Sequence, residues 1–369
     1  TQWFAQAVFG LTEPASAYNG SGDRTFDHVQ LLLFAILGAI GAIAWSALDR
    51  RRSYPRLAAA AHVVLRYSLA HAMLGYGFAK ICRQQFGDLS PAELQATVGE
   101  CSPMGLLWRF MDYSTPYTVF GGLCEAIPGV LLLWRRTAAI GAVMVIAVMT
   151  NVVMLNVSYD VCVKLYSMQL LVMAWLIAMP DARRLLAAAL GRATAEVPPR
   201  ARMSSRRERV RQLAKAVFVL GVAVDLYPAL GGRDKPDSDA YGNWVVDTLA
   251  VDGVDHPPLA TDPVRWQHVA FGTSRLVIWR VSGERDPQIT EKRGSYSYQI
   301  DAASHTLKLT IDPEHKLEET WHYARPAPDR LVIDGVHLGA SLHVALHPAP
   351  APLLVTRGFH WINESPFSR

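Results

Sequence analysis

Charge, paired cysteines and cofactor fingerprints are all scarce in this chain. Of its 369 residues only 18% are charged, and the four cysteines Cys82, Cys101, Cys124 and Cys162 include no CxxC pair. That spacing excludes a thioredoxin-type dithiol, a c-type haem attachment and a zinc ribbon. A nucleotide-binding glycine loop, a hydrolase triad and a metal cluster of recognisable spacing are missing too, so the residues by themselves announce no metal and no cofactor. The net charge of +4 comes from short arginine clusters between apolar segments rather than from one basic face, which argues against a nucleic-acid partner. The first 28 residues lack a basic start ahead of an apolar stretch and are read as an external N-terminal segment, not a cleavable leader.

What is abundant is apolar sequence, 51% of the chain. It is unevenly placed: residues 29–230 hold long uncharged runs, while residues 231–369 read as an ordinary water-soluble domain. Crossing a hydrocarbon layer takes about 20 apolar residues in a helix. Six segments meet or approach that length, 29–48, 57–79, 116–134, 137–157, 163–180 and 213–230. Each is expected to be helical, because lipid offers the backbone no hydrogen-bond partner. Basic residues mark every second loop, at Arg50–Arg52 with Arg56, at Arg135 and Arg136, and from Arg183 to Arg211. The excess of basic residues on cytoplasmic loops then places both termini outside. The expected location is a bacterial inner membrane, crossed several times, with both termini periplasmic and lipid as the first partner.

Residues 231–237 carry the glycine, proline and charge of a boundary. Beyond it, short alternating runs recur at 244–251, 266–271, 275–281, 296–300, 306–311, 320–323, 331–333 and 341–346, with Asp252-Gly253 and Asp334-Gly335 as turn signals. The expectation is a soluble all-β C-terminal domain, an antiparallel barrel or sandwich of about eight strands, following a membrane α-helical bundle. A barrel interior filled by side chains is favoured over a ligand-holding one. His337, His343 and His347 have the even spacing of one strand face, but Gly339 predicts a hairpin between them, and they are read as surface histidines.

Ionisable side chains among apolar helices are costly and mark functional sites. The second span holds Arg66, His71 and Lys80; at 100° per residue Arg66 and Lys80 share a face and His71 lies opposite Lys80. Glu125 sits in the third span at a depth of about 13 Å, and Asn151, Asn156, Asp160, Lys164 and Gln169 add polar groups in the outer half of the next two. These nine residues are expected to converge on an outward-facing pocket or an ion-pair network fixing helix register, with Glu125 paired to Arg66, Lys80 or His71. Lys80 and Glu125 are the candidates for any proton chemistry. His62 and His71 face opposite ways and cannot clamp one haem. Cys82 and Cys101, both on the outer side, are candidates for a disulfide.

The stretch Arg66-Tyr-Ser-Leu-Ala-His71-Ala-Met-Leu-Gly75-Tyr-Gly77-Phe-Ala-Lys80 resembles the opening helix of the DoxX-like membrane family, and Gly121-Gly122-Leu-Cys-Glu125-Ala-Ile-Pro-Gly129 is similar to that family's second helix. Tyr159-Asp160-Val-Cys-Val-Lys164 resembles the Asp and Lys stretch of longer members, and Arg357-Gly-Phe-His360-Trp361-Ile-Asn363 the tail of those with an extra C-terminal domain. The resemblance covers about residues 57–180 and the tail, and leaves the β domain without a relative. It implies a DoxX-like four-helix core and a setting in quinone- or thiol-linked redox chemistry, with quinone as the implied cofactor. A more distant resemblance, carried by Tyr76-Gly-Phe-Ala-Lys80, is to the vitamin K-dependent carboxylase-like helical domain, in which a lysine acts as base toward a quinol.

Two functions follow as expectations. The first is an accessory subunit of a larger, redox-linked membrane complex, its β domain docking on the periplasmic side; the lack of cofactor motifs tips the balance toward it. The alternative is a quinone- or thiol-linked membrane oxidoreductase in which Arg66, Lys80 and Glu125 line the pocket.

Overall fold

Each of the six apolar segments becomes a helix. The computed structural model describes residues 1–11, 19–51, 53–193, 205–227, 238–259, 261–280, 293–312 and 317–367. The expected boundary linker at 231–237 lies outside the described residues. The helices are α1 (Gln2–Phe9), α2 (Thr25–Leu48), α3 (Pro55–Ile81), α4 (Pro91–Gln95), α5 (Pro103–Tyr113), α6 (Thr115–Leu132), α7 (Ala138–Ser158), α8 (Lys164–Ala178), α9 (Ala182–Ala189), α10 (Ser205–Leu226) and α11 (Leu353–Thr356). Their starts are written locally. Asp27 closes a capping box on Arg24 at α2, Pro55 opens α3, and Ser114 Oγ accepts from the Tyr117 amide at α6.

Two compact units divide the chain. One comprises Thr1–Gly87 and Cys101–Arg233; the other comprises Asp88–Glu100 and Asp234–Arg369. The domain division expected at residue 231 therefore gains an exception, since residues 88–100 fold with the C-terminal unit.

In the helical unit three described helices are long and apolar enough to cross a membrane, α2, α3 and α7. The three shorter of the expected spans are less clear in their own chemistry. The helix α6 has 18 residues and includes Glu125, α8 has 15, and α10 begins on Ser-Arg-Arg-Glu-Arg. On α2 only Val29 is buried, and Leu37, Ile40 and Ile43 lie on the surface. A helix apolar all round with an uncovered surface belongs in an apolar solvent, which makes association with a membrane the natural reading. Where helices do pack, glycine sets the distance. A Cβ on Gly77 would lie 2.8 Å from the Gly122 carbonyl oxygen, and one on Gly122 would lie 2.6 Å from that of Gly77, so α3 and α6 touch backbone to backbone.

The C-terminal unit is a closed eight-stranded antiparallel barrel. Its strands are β1 (Gly242–Val251), β2 (Val254–Asp255), β3 (Trp266–Phe271), β4 (Arg275–Arg280), β5 (Arg293–Asp301), β6 (Thr306–Asp312), β7 (Leu317–Ala327), β8 (Arg330–His337) and β9 (Ala340–Pro348). Pairing runs in the order β1-β3-β4-β5-β6-β7-β8-β9 and closes β9 onto β1, while the two-residue β2 only extends a hairpin from β1. Alternating residues point inward, among them Trp244, Trp266, Phe271, Tyr298, Leu307 and Trp321, so the interior is packed with side chains. A register shift between Val246 and Thr248 marks a bulge on β1. The buried guanidinium of Arg265 braces it, donating to the Val246 and Asp247 carbonyls at 2.7 and 3.0 Å. Outside, Ala92 of α4 packs on Ala270, Val277 and Trp279.

Asp252 and Gly253, at φ 52° and 75°, make the expected tight turn. Asp334-Gly335 does not: both residues lie within β8, and the turn falls at Leu338-Gly339, at φ 50° and 86°. Gly335 is needed mid-strand because the Trp321 ring lies where its Cβ would be. The hairpin at Gly339 separates the three histidines. His337 is buried with Nδ1 3.0 Å from Glu319, whereas His343 and His347 pair with Asp334 and Asp247 at 2.6 and 2.7 Å.

Candidate functional site

The site begins with a helix face. On α3, Met73, Tyr76 and Lys80 follow one another at intervals of three and four residues, and on α7 Met149, Val152 and Asn156 do the same. Both stripes, with Leu170 and Ser167 of α8, line one cavity of about 110 Å³. Phe86, Leu107, Trp108 and Met111 complete its wall. The lining is mostly apolar, its polar part being one corner and the side chains of Gln85, Asn156 and Ser167.

That corner holds an ion pair. Lys80 Nζ donates to Glu125 Oε2 at 2.7 Å, and the two residues are only 9% and 4% exposed. The close approach at Gly77 and Gly122 makes the reach possible, since each charged residue lies three positions beyond its glycine. The ammonium also lies 5.6 Å from the Tyr76 ring centroid and 5.9 Å from that of Phe86. As the two charges neutralise each other, the corner is polar without carrying a net charge.

Two carboxamides face the same space. Asn156 is 6% exposed and its side chain has no hydrogen-bond partner among the described residues. Gln85 Oε1 is buried with no partner either. A buried polar group left unpaired costs about 1–3 kcal/mol, so the Gln85 oxygen is poised for a ligand or water, and the Asn156 amide faces the same space.

Of the nine polar residues expected to converge, three do: Lys80, Glu125 and Asn156 line the cavity. Arg66 does not join them; its guanidinium lies over the Tyr67 ring, 5.3 Å from the centroid. Sharing a helix face with Lys80 was not enough, because the two are 14 residues apart along the axis. His71 lies 3.9 Å from Asp225 of α10 at an exposed position, which leaves Lys80 as the partner of Glu125. Asn151 and Gln169 are exposed on other faces of their helices. Asp160 and Lys164 pair with each other at 2.7 Å and belong to a different structure: Asp23, ahead of α2, accepts from the Lys164 and Leu165 amides at 2.8 and 2.9 Å. Asp23 caps α8 and ties the N-terminal segment down. No local signal announces a cap supplied from 141 residues away.

Cys82 and Cys101 form no disulfide in the structure, and neither do Cys124 and Cys162. Cys82 caps the end of α3, and Cys101 precedes the Ser102 cap of α5, so each sits in a helix-end turn of its own. Sequence reasoning missed Met73, Tyr76, Met149 and the α5 wall. The first three carry a usable signal, the helical spacing to Lys80 and Asn156; Trp108 and Met111 carry none, because α5 lay in a loop.

No family model and no solved structure matches the chain. A similar protein is the uncharacterized protein YwoB of Bacillus subtilis (strain 168), 36% identical over 121 residues. Those residues are 33% of this chain and 77% of that protein, which is thus less than half as long. Most of the present chain has no counterpart there. Because the match covers more than two thirds of the relative at this identity, the chain belongs to the family of YwoB.

Proposed function

We propose that the chain is a DoxX-like protein of a bacterial inner membrane that holds a neutral, lipid-soluble ligand of the quinone class in the cavity of its helical unit. Six spans with both termini periplasmic fit the helices formed at every apolar segment and the alternation of basic loops. One observation carries the ligand reading: the buried Lys80–Glu125 pair closes a mostly apolar cavity in which the Asn156 side chain has no hydrogen-bond partner among the described residues. A self-neutralised pair does not call for a charged ligand. Flat apolar walls suit a ring, and a carbonyl oxygen on that ring can accept from Asn156 or share the Lys80 ammonium. A quinone brings a redox-active ring with two such oxygens; this chain's residues bind it, orient it and exclude water from it. Lys80 and Glu125 together can take up or release a proton at the ligand oxygen.

The test is a titration of the detergent-solubilised full chain with a short-chain quinone, followed by thermal unfolding. Wild type is expected to gain stability with saturation, and Asn156→Leu, which fills the space with apolar atoms, to gain little. No saturable gain in wild type sinks the reading.

A second reading, an accessory subunit of a redox-linked membrane complex, is favoured by a separate observation. Phe359, Trp361 and Ile362, on the C-terminal unit, are 77%, 91% and 77% exposed. Exposed aromatic residues of this kind are typical anchors for a protein partner. A stoichiometric subunit that copurifies with wild type and is lost in Trp361→Asp would support it; an unchanged monomer in both would remove it.

A further inference from the structure

The cavity has a mouth, and it lies where two helices part. At one end of their seam α3 and α8 are sealed together: Leu69 and Ala72 share one buried core with Ala174 and Ile177, and His62 Nε2 lies 3.3 Å from the Ile177 carbonyl oxygen. Toward the other end the seam reaches Tyr76 and Tyr166, whose ring centroids are 6.1 Å apart with the planes tilted by 46°. Both tyrosines line the cavity, and at 37% and 39% exposure they are the only exposed ones among the described residues that line it. Each therefore belongs to the inside and to the outer surface of the helical unit. Just within, the Lys80 ammonium lies 5.6 Å from the Tyr76 ring centroid, so the polar corner stands directly behind the mouth. Outside, α8 continues with the exposed apolar side chains of Val172 and Leu176.

We propose that the ligand is a chain-bearing amphiphile whose ring sits inside against Lys80 and Glu125 while its isoprenoid or alkyl chain leaves between Tyr76 and Tyr166 into the surrounding lipid. This rests on the ligand reading given above and narrows the class to long-chain quinones. Ligands of ordinary drug size take pockets of roughly 300–1,000 Å³, whereas a cavity of about 110 Å³ has room for a ring-sized head and little more. A chain attached to that head has to lie outside, and the seam at the two tyrosines is where the lining meets the surface. Tyrosine suits such a place, because its ring offers a chain an apolar face while its hydroxyl keeps a polar end. A chain laid along α8 adds buried apolar area, and with it affinity, without asking for more cavity.

The experiment uses the full chain in detergent and two probes, a methyl-substituted benzoquinone without a chain and the same ring carrying a decyl chain that ends in a photoreactive diazirine. Thermal unfolding is followed against the mole fraction of each probe in the detergent, and the chain-bearing probe is then photolysed and its attachment sites mapped. Both probes are expected to stabilise wild type, the chain-bearing one at about tenfold lower mole fraction, with labelling confined to α8 and α3 around Tyr166, Val172 and Tyr76. Tyr166→Trp, which narrows the mouth, should weaken the chain-bearing probe and leave the chainless ring nearly unchanged. Equal mole fractions for the two probes in wild type, or labelling on α5 or α6 instead, would overturn the mouth while the saturable effect of the chainless ring still upheld the ligand reading. No stabilisation by either probe would overturn both.

Discussion

Lys80 and Glu125 are stable only as a pair. Removing one partner strands the other among Met73, Met111 and Met149, where a lone charge has no compensation. We therefore expect Lys80→Ala to lose about 3–5 kcal/mol in denaturant unfolding, and the double change Lys80→Met with Glu125→Leu to recover most of it. Equal losses in the single and double variants would mean the pair is not what holds this corner. In the barrel, Tyr298 makes the complementary case for a neutral group. Burial, and then the neighbouring Tyr241 and Tyr323, push its phenol up to about 12, and it donates to the Gly272 carbonyl at 2.6 Å. The folded state thus holds this proton more tightly than the unfolded chain, whose phenol titrates near 10. The stabilisation is complete below about pH 10 and falls as pH rises from there toward about 12. Unfolding of the barrel followed across that range should show stability declining with pH, with a smaller slope in Tyr298→Phe. At this scale the sequence was half legible. A lysine and a glutamate in apolar runs announce a cost, but the same signal at Arg66, His71, Asn151 and Gln169 leads elsewhere, because helix rotation and depth decide who meets whom.

Two glycines separated by one residue on α3 have opposite fates. A Cβ on Gly75 would meet nothing within 4 Å, whereas one on Gly77 would lie 2.7 Å from the Ala126 amide nitrogen. Gly75→Ala is predicted to be neutral or to stabilise by about 0.5–1 kcal/mol through helix propensity. Gly77→Ala must push α3 off α6 and should cost about 1–3 kcal/mol, loosening the Lys80–Glu125 bond with it. Thermal unfolding of the two variants side by side checks the contrast; similar midpoints would contradict the close packing. Elements themselves were readable from periodicity, helices at every apolar run and strands at every alternating one. What misled was Asp334-Gly335, a strong turn dipeptide whose glycine serves a close approach to Trp321 inside β8 instead.

Across the whole molecule, apolar-rich and charge-rich sequence separate in composition, and the two compact units divide the chain at nearly the same place except at residues 88–100. That exception was unreadable, since a polar loop between two helices carries no mark of the unit it joins. The number of spans is less sharply written than their positions. Length and apolarity single out α2, α3 and α7, while α6 includes a glutamate and α8 has 15 residues. We propose above all that the cavity beside Lys80 and Glu125 is a place for a lipid-soluble molecule. Solvent extraction of the chain purified gently from membranes, with the quinone content measured per chain, tests it most directly. A content approaching one per wild-type chain, strongly reduced in Asn156→Leu, is expected; trace amounts that are the same in both would contradict a ligand in this cavity.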